Sequence, residues 1–596
     1  MRVEEGFQQL PFSDDEPYGA DPVLFTLLKR LFPKSVHAEV DADLRRLERE
    51  TIPEIRALSN LATPPYLTQY NQWGQRVDIL HTSEGWRGLK AAVQKEGVVA
   101  ISYDRKHGEH SRIHAFVKML LMSGDGQVVF CPIAMTDGCA RVLELFGTPA
   151  MQKDVFPRLV SRDPSTAFTA GQWMTERPGG SDVSQTETTA APSSEITAHP
   201  LGPVYKLDGF KWFSSATDSN VSVALARTGS LSQGSRGLSL FLVPLRLPLV
   251  HEPPSPLPPS TSNNIYVHRL KNKIGTHILP TAELSLNGTE GYLLGPQNQG
   301  VRCIAPVLNI TRVHSAIGSV GALRKCLAIA SSFATVRAVN GGKQMLVDTP
   351  LHVAELAKIS LVYRALVHLT FGAVHLLGKT ECGTASKDEE LRFRLLTPII
   401  KGFAAEKAVS AMEECMSSMG GQGYMEENMI GSTRLIRDSL VEKIWEGTIT
   451  VLSLDLLRTI QIKGALKSFI DWAEMSLASV PDPLKMQIEE PLSLLRTGLE
   501  ELQAAYKQPV PMLVPRPAFM LFAHVASGFY LLEHAVWSYN KDEAQRDVDI
   551  EAFCRWIIEG GLKAAREDVK RAKITSLDRS NMDSALVYGS RTKAKL

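Results

Sequence analysis

The feature that most constrains this 596-residue chain is a double change in the period of its apolar residues. Between about 84 and 160, segments such as Gly88–Glu96, Ile113–Met122 and Cys139–Leu145 carry apolar residues three and four apart, the spacing of helices with one buried face. From about 165 the character switches. Val204–Ser215, Val221–Arg227, Gly237–Leu245, Asn264–Leu270 and Ala282–Leu286 are β-branched and aromatic, with Gly, Pro, Asn or Ser between them. With no helical stretch separating these strands, an antiparallel arrangement is expected rather than βαβ units. Beyond about 300 the helical spacing returns in Ala316–Val336, Leu351–Leu377, Glu389–Met419 and Thr448–Ile462, and four further helical segments are expected within 465–576. The pattern predicts an α+β multidomain fold. An N-terminal arm covers 1–75, a helical domain 76–164, a middle antiparallel β domain 165–298, a C-terminal helical bundle 299–465, and an additional helical domain 466–596.

Charge and cysteine usage exclude several classes. A net charge of +1 creates no overall field for nucleic acid or an anionic membrane. The 7 cysteines include no C-x-x-C pair, so zinc is not expected and a reducing compartment is. The acidic start Met1-Arg2-Val3-Glu4-Glu5 has no apolar core, so the chain is not expected to be secreted. No uninterrupted apolar stretch of about 18 residues is found, so no membrane span is expected. The terminal Ala594-Lys595-Leu596 matches the Ser-Lys-Leu type of peroxisomal address; without it the expected location is cytoplasmic. The proline- and serine-rich stretch 251–263 reads as a solvated spacer. The 15 histidines show no H-E-x-x-H spacing, so His314 is expected to be structural. Ser181 lies outside any G-x-S-x-G elbow and is not a nucleophile candidate.

Four segments carry types that chemistry uses. Gln172 opens a run through Met174-Thr175-Glu176-Arg177-Pro178-Gly179-Gly180-Ser181, whose small and hydroxyl residues let a cofactor approach closely. Lys211-Trp212-Phe213-Ser214-Ser215 ends a strand with two aromatics followed by two hydroxyls. Gly420-Gly421-Gln422-Gly423 follows a helix rather than a strand, which excludes a Rossmann fingerprint. Ile444-Trp445-Glu446-Gly447-Thr448 places a carboxylate between a large aromatic and a glycine, before an apolar helix. Taken without its neighbours, Glu446 reads as a carboxylate complementing that helix's N-terminus.

In this order and domain context the segments resemble the acyl-CoA dehydrogenase family, in its AidB-like branch, over roughly residues 70–465. That branch would also account for the extra helical domain. The resemblance implies an FAD-dependent oxidoreductase that introduces an α,β double bond into an acyl-CoA thioester. Glu446 would be the catalytic base, Trp445 and Arg312 would meet the substrate, and the Glu446 amide would bind the thioester oxygen. FAD would be held by Gln172, Met174, Thr175, Gly180, Ser181, Phe213, Ser214 and Ser215. Thr448 and Thr450 would add contacts, and Arg337, Gly420 and Gly421 would reach the cofactor of a neighbouring subunit. A shared FAD site implies an oligomer, a dimer of dimers. Trp445 stands where the family usually has tyrosine, and Asn340 replaces an aromatic after Arg337. Thr450 stands in place of a glutamine.

The chemistry needs these types. Taking a proton from a carbon beside a thioester requires a base and stabilisation of the developing enolate. Burial beside Trp445 would favour protonated Glu446 and move it toward a useful range. The electron acceptor is left as electron-transfer flavoprotein or oxygen. The alternative is a flavin-containing protein that mainly binds nucleic acid, for which Lys563, Arg566, Lys570, Arg571 and Lys573 are the candidates. Glu567 and Asp568 interleave with them, which favours a solvated, salt-bridged helix instead.

Overall fold

The computed structural model describes residues 13–196, 199–249, 261–426, 433–574 and 577–589. They form two compact units. One contains the chain up to 359 together with 377–384 and 405–446; the other contains 360–376, 385–404 and everything from 447. The long helices Pro350–Cys382 and Lys387–Ser418 contribute turns to both.

In the first unit the N-terminal arm, expected to be irregular around one or two helices, holds three. Helices Pro22–Leu31, Lys34–Arg46 and Ile52–Asn60 bury Leu24, Leu27, Leu44 and Ile55. Asp21 caps the first by accepting from the amides of Val23 and Leu24. Arg324 pairs with Asp14 at 2.7 Å and Arg46 with Glu96 at 2.6 Å, which ties this segment to later helices. A hairpin of β1 (Tyr66–Tyr70) and β2 (Arg76–His81) straddles residue 75, where the apolar spacing signals no strand. Its stability comes from elsewhere: Gln69 and Arg76 both donate to the Val267 carbonyl, at 2.9 and 2.7 Å.

Helices Glu84–Lys95, Ser111–Ser123, Phe130–Phe146 and Gly300–Val336 cover the expected helical segments. Between them lies a buried charge cluster. Asp137 accepts from Arg112 at 2.6 Å, His314 at 2.8 Å and Tyr103 at 2.9 Å, while Arg112 also grips Glu381 with two bonds of 2.6 and 2.9 Å. Burial alone would raise the Asp137 carboxyl; the Arg112 and His314 partners hold it well below the usual carboxylate range.

The central sheet has seven strands: β3 (Ala170–Trp173), β4 (Thr189–Pro192), β5 (Val204–Ser215), β6 (Val221–Arg227), β7 (Leu238–Pro244), β10 (Ile265–Leu270) and β11 (Thr281–Leu294). Two-residue strands β8 (Arg246–Leu247) and β9 (Thr261–Ser262) pair beside it. The order is β10-β11-β5-β4-β6-β3, with β7 between β11 and β6. The expectation of a purely antiparallel domain is corrected here. β3 runs parallel to β6, and β4 meets β6 parallel at Thr189 and Arg227. β3 enters straight from the helical block, so no hairpin dictates its direction.

β11 also runs eight residues past the expected Leu286. Asn287-Gly288 reads as a turn, yet it forms a bulge: Gly288 has φ +65° and its amide donates to Asp208 Oδ1 at 2.7 Å. Trp173, Tyr205, Leu207, Phe241, Val243, Leu284 and Leu286 build the sheet core, and every residue of β6 and β7 is buried.

In the second unit the described residues within 465–576 form helices Ala465–Ala478, Asp482–Gln487, Glu489–Ala505, Pro515–Lys541, Arg546–Glu559 and Leu562–Lys573, six where four are expected from the spacing. The last two are separated only by Gly560-Gly561, with Gly561 at φ +110°, too short a break to show as a gap in periodicity. Phe469, Trp472, Phe522, Phe529 and Trp556 fill this core. The basic residues of Leu562–Lys573 are largely neutralised: Arg566 pairs with Glu501 at 2.6 Å, Lys570 with Glu567 at 2.9 Å, and Arg571 with Asp568.

Contrary to expectation, three helices reach the length and apolarity of a membrane span: Gly300–Val336, Pro350–Cys382 and Pro515–Lys541. Their most apolar windows are 72%, 78% and 89% buried inside the protein, so their apolarity serves packing. Most of the proline- and serine-rich stretch 251–263, and Ala594-Lys595-Leu596, lie outside the described residues.

Candidate active site

Two clusters in the first unit gather most of the candidate residues. The first forms where β3 and β5 end. Trp173, buried at the end of β3, donates its indole N–H to the Ser215 carbonyl at 3.2 Å. The following loop turns back on itself through reciprocal 3.2 Å bonds between Glu176 and Gly179. The Trp212 amide donates to the Thr175 carbonyl at 3.0 Å, which lays the loop against β5. A Cβ on Gly180 would stand 2.9 Å from Thr175 Oγ1, so only glycine lets the loop close this tightly.

Beneath the loop is a buried ion pair that sequence reasoning missed. Lys211 Nζ lies 2.6 Å from Glu176 Oε1, and both side chains are sequestered from solvent. Glu176 also accepts from the Glu187 amide at 2.6 Å and Thr188 Oγ1 at 2.6 Å. Burial would raise this carboxyl, but Lys211 and the hydrogen bonds hold it below its ordinary value; burial lowers Lys211. The signal was opposite charges in two segments already singled out, one of them inside an apolar strand.

Strand alternation then sorts the end of β5. Phe213 and Ser215 share a face, and Phe213 is 47% exposed despite its size. Lys271, also unforeseen, places its ammonium 3.3 Å from the Trp212 ring centre and 4.6 Å from that of Phe213. Ser214 is buried on the other face. Its hydroxyl and the Gln172 Oε1 are buried polar atoms with no hydrogen-bond partner among the described residues. A buried hydroxyl or amide oxygen left unpaired is costly. Met174 and Thr175 are half-buried, and Gly180 and Ser181 are exposed along the loop's outer edge.

The second cluster surrounds the candidate base. Glu446 follows a short turn closed by Ile444 and Trp445 amides on the Val441 carbonyl, at 2.8 and 3.0 Å. Its φ is +56°, a left-handed conformation that a glutamate rarely adopts. Such strain is retained where the surroundings over-determine it, often at functional positions. The turn is pinned from one side: Trp445 donates its indole N–H to Glu442 Oε2 at 2.6 Å, and Ser315 Oγ donates to the same oxygen. Ser315 lies one helical turn beyond the buried Arg312, so the helix face bearing Arg312 anchors the segment that carries Glu446. Glu442 and Ser315 were not anticipated; the three-residue spacing of Glu442 and Trp445 was the available clue.

Cys131 links the two clusters. Its thiol, pushed up to about 12 by burial, feels the charges of Lys273, Glu442 and Glu446. Lys273 in turn hydrogen-bonds Thr281 Oγ1 at 3.0 Å, and Thr281 Oγ1 lies 3.1 Å from Ser215 Oγ.

Five further candidates lie on other elements. Arg337 is exposed at the end of its helix, where β12 (Ala338–Val339) and β13 (Gln344–Met345) begin a surface hairpin. Gly420, at φ +59°, and Gly421 are exposed on a short turn with open space around each. Thr448 and Thr450 belong to the second unit. Thr448 caps helix Ile449–Ile460 by accepting from the Val451 amide, and Thr450 Oγ1 accepts from Arg516 at 3.1 Å.

Comparison with known proteins agrees with this arrangement. Residues 8–164 match the family described as adaptive response protein AidB N-terminal domain, 171–289 the acyl-CoA dehydrogenase middle domain, and 298–461 the acyl-CoA dehydrogenase C-terminal domain. Acyl-CoA dehydrogenase family member 11 of Caenorhabditis elegans is 36% identical over 97% of this chain and 95% of its own length. The putative acyl-CoA dehydrogenase AidB of Escherichia coli is 29% identical over 75% of this chain and 79% of its own. Among solved structures, C. elegans ACDH-11 in complex with C11-CoA superposes with a TM-score of 0.86 at 35% identity, covering 99% of this chain and 98% of that one. The chain therefore belongs to the acyl-CoA dehydrogenase family, in its AidB-like branch.

Proposed function

We propose that this protein is an FAD-dependent acyl-CoA dehydrogenase with Glu446 as its base. The observation that carries the reading is the end of β5, where the exposed Phe213 ring and the Ser215 hydroxyl share one strand face beside the loop that follows β3. A flat ring system with hydrogen-bonding edges fits that combination of an exposed aromatic face and a neighbouring hydroxyl. A solved Bacillus anthracis acyl-CoA dehydrogenase, of the same fold at 16% identity, is complexed with FAD.

Thr175, Gly180, Ser181 and Ser215 line this place from the loop and strand, with Met174 beside them. Arg337, Gly420 and Gly421, exposed on one chain, suit contact with the cofactor of a second copy, which supports a dimer of dimers. Glu446 removes the α-proton onto its carboxylate oxygen, and its amide holds the thioester oxygen as negative charge gathers there. Arg312 and Trp445 shape the acyl site. FAD, when bound, accepts the hydride, with its electron pair, that leaves the β-carbon. Electron-transfer flavoprotein or oxygen then takes the electrons, and Ala594-Lys595-Leu596 directs the enzyme to the peroxisome. No observation favours the nucleic-acid reading, since Arg566, Lys570 and Arg571 of the basic helix pair with Glu501, Glu567 and Asp568.

The test is the visible spectrum of the purified protein during anaerobic addition of acyl-CoAs of graded length, C11-CoA among them. Bleaching of bound flavin by some acyl-CoA, abolished in Glu446→Gln at equal flavin content, is expected. Flavin that no acyl-CoA reduces, or that Glu446→Gln reduces as fast, would overturn the proposal.

A further inference from the structure

Lys273 sits half-buried in the connection between β10 and β11, and both of its hydrogen bonds go to neutral oxygens: the Leu279 carbonyl at 2.8 Å and Thr281 Oγ1 at 3.0 Å. An ammonium only donates. Its bond to Thr281 therefore occupies a lone pair and leaves the threonine proton for another acceptor. Ser215 Oγ, 3.1 Å away, is a nearer acceptor than the Leu279 carbonyl at 3.5 Å. Either hydroxyl can donate in the Thr281–Ser215 contact; when Thr281 does, the Ser215 proton is left for the strand face that also presents Phe213.

We propose that Lys273 is a positioning residue of the redox site: acting through Thr281, it fixes the Ser215 hydroxyl as a hydrogen-bond donor to the flavin edge and polarises it with its charge. This rests on the reading that FAD lies against Phe213 and Ser215. The direction suits the chemistry. Reduction adds negative charge to the cofactor, and a donor backed by a cation favours the form that carries more of it.

The surroundings make the charge adjustable. Lys273 is brought down to about 8, mainly by burial, with Cys131 and Asp438 opposing the shift. Cys131, from helix Phe130–Phe146, is a neutral thiol at that pH. Asp438, from helix Thr433–Ser439, is raised by burial while the Thr276 amide, Arg434, His277 and Arg437 pull it down. Raising pH through about 8 removes the Lys273 charge, gives the amine a lone pair that can accept from Thr281, and lowers the tendency of the flavin to accept electrons.

The experiment uses holoenzyme without acyl-CoA. It measures flavin content, visible spectrum and midpoint potential on both sides of pH 8 for the wild type, Lys273→Met, Lys273→Arg, Thr281→Val and Ser215→Ala. In the wild type the potential is expected to fall with an added inflection near pH 8. Below that pH, Lys273→Met is expected to lower the reduced-to-oxidised ratio about tenfold at fixed poise, about 30 mV for two electrons. It should also lose the inflection. Lys273→Arg, permanently charged, should keep the high potential and lose the inflection. Thr281→Val leaves the lysine in place but cuts the relay, and should behave like Lys273→Met; it stands in if Lys273→Met loses FAD. A potential unmoved in Lys273→Met, or an inflection intact in Thr281→Val, overturns the proposal. Ser215→Ala separates the causes: if it shifts the spectrum while Lys273→Met does not, only the lysine's role fails. If Ser215→Ala changes neither spectrum nor potential, the flavin is not at Ser215 and both readings fall.

Discussion

Replacing Lys211 by methionine should damage the flavin loop and the sheet together. The lysine and Glu176 are buried, 2.6 Å apart, with side-chain exposures of 0% and 2%. Removing one partner of a buried pair leaves the other charge uncompensated, at about 3–5 kcal/mol. Glu176 retains three donors, the amides of Glu187 and Thr188 and the Thr188 hydroxyl, which places the loss near the lower end, about 3 kcal/mol. The Lys211 bond to the Leu225 carbonyl, at 2.8 Å, adds about 1 kcal/mol.

The pH dependence has a definite sign. Glu176 is held below its ordinary value in the folded protein, so its contribution is present above an unfolded value of about 4.3 and is lost as pH falls through the folded value. Without Lys211 the burial dominates and the carboxyl rises. The deficit of Lys211→Met should therefore shrink as acidification protonates Glu176. Guanidinium chloride unfolding of the holoenzyme, followed by release of FAD and compared at unchanged slope, measures both effects. The double variant Glu176→Gln with Lys211→Met should be milder than the sum of the singles by about 2 kcal/mol. A Lys211→Met midpoint within about 0.5 kcal/mol of wild type, or a deficit that grows on acidification, would refute the reasoning.

Gly423→Ala should destabilise by about 1–3 kcal/mol, because its Cβ would fall 2.0 Å from the Met416 carbonyl. Gly421→Ala, with open space around it, should be near neutral, and thermal unfolding of the pair side by side checks the difference. Deleting Ala594-Lys595-Leu596 should release an N-terminally fluorescent fusion from peroxisomes to the cytosol; a full-length fusion already diffuse in the cytosol would remove the peroxisomal assignment.

Much of the fold was legible because its signals are local. The apolar spacing of Ile113–Met122 or Leu351–Leu377 places those helices without reference to any distant residue, and β5 and β6 fall at the expected bounds because alternation and flanking turn residues mark them. The parallel β3, the bulge at Gly288 and the β1–β2 hairpin were not legible, since each depends on a partner far along the chain. The length and apolarity of three helices went unnoticed for a related reason. Counting uninterrupted apolar residues overlooks long bundle helices that alternate small and apolar types and bury them in the protein.

By itself the sequence determined the helical, β, helical order and the family, and it singled out the segments around Thr175, Phe213 and Glu446, because period and residue type are properties of the chain. Only the tertiary structure decided how those segments are held: Glu176 on Lys211, Trp445 on Glu442 and Ser315, and Ser215 on Thr281 and Lys273. A charge or hydroxyl can be read in a sequence, but its partner and burial exist only after folding brings residues tens or hundreds of positions apart into one low-dielectric place.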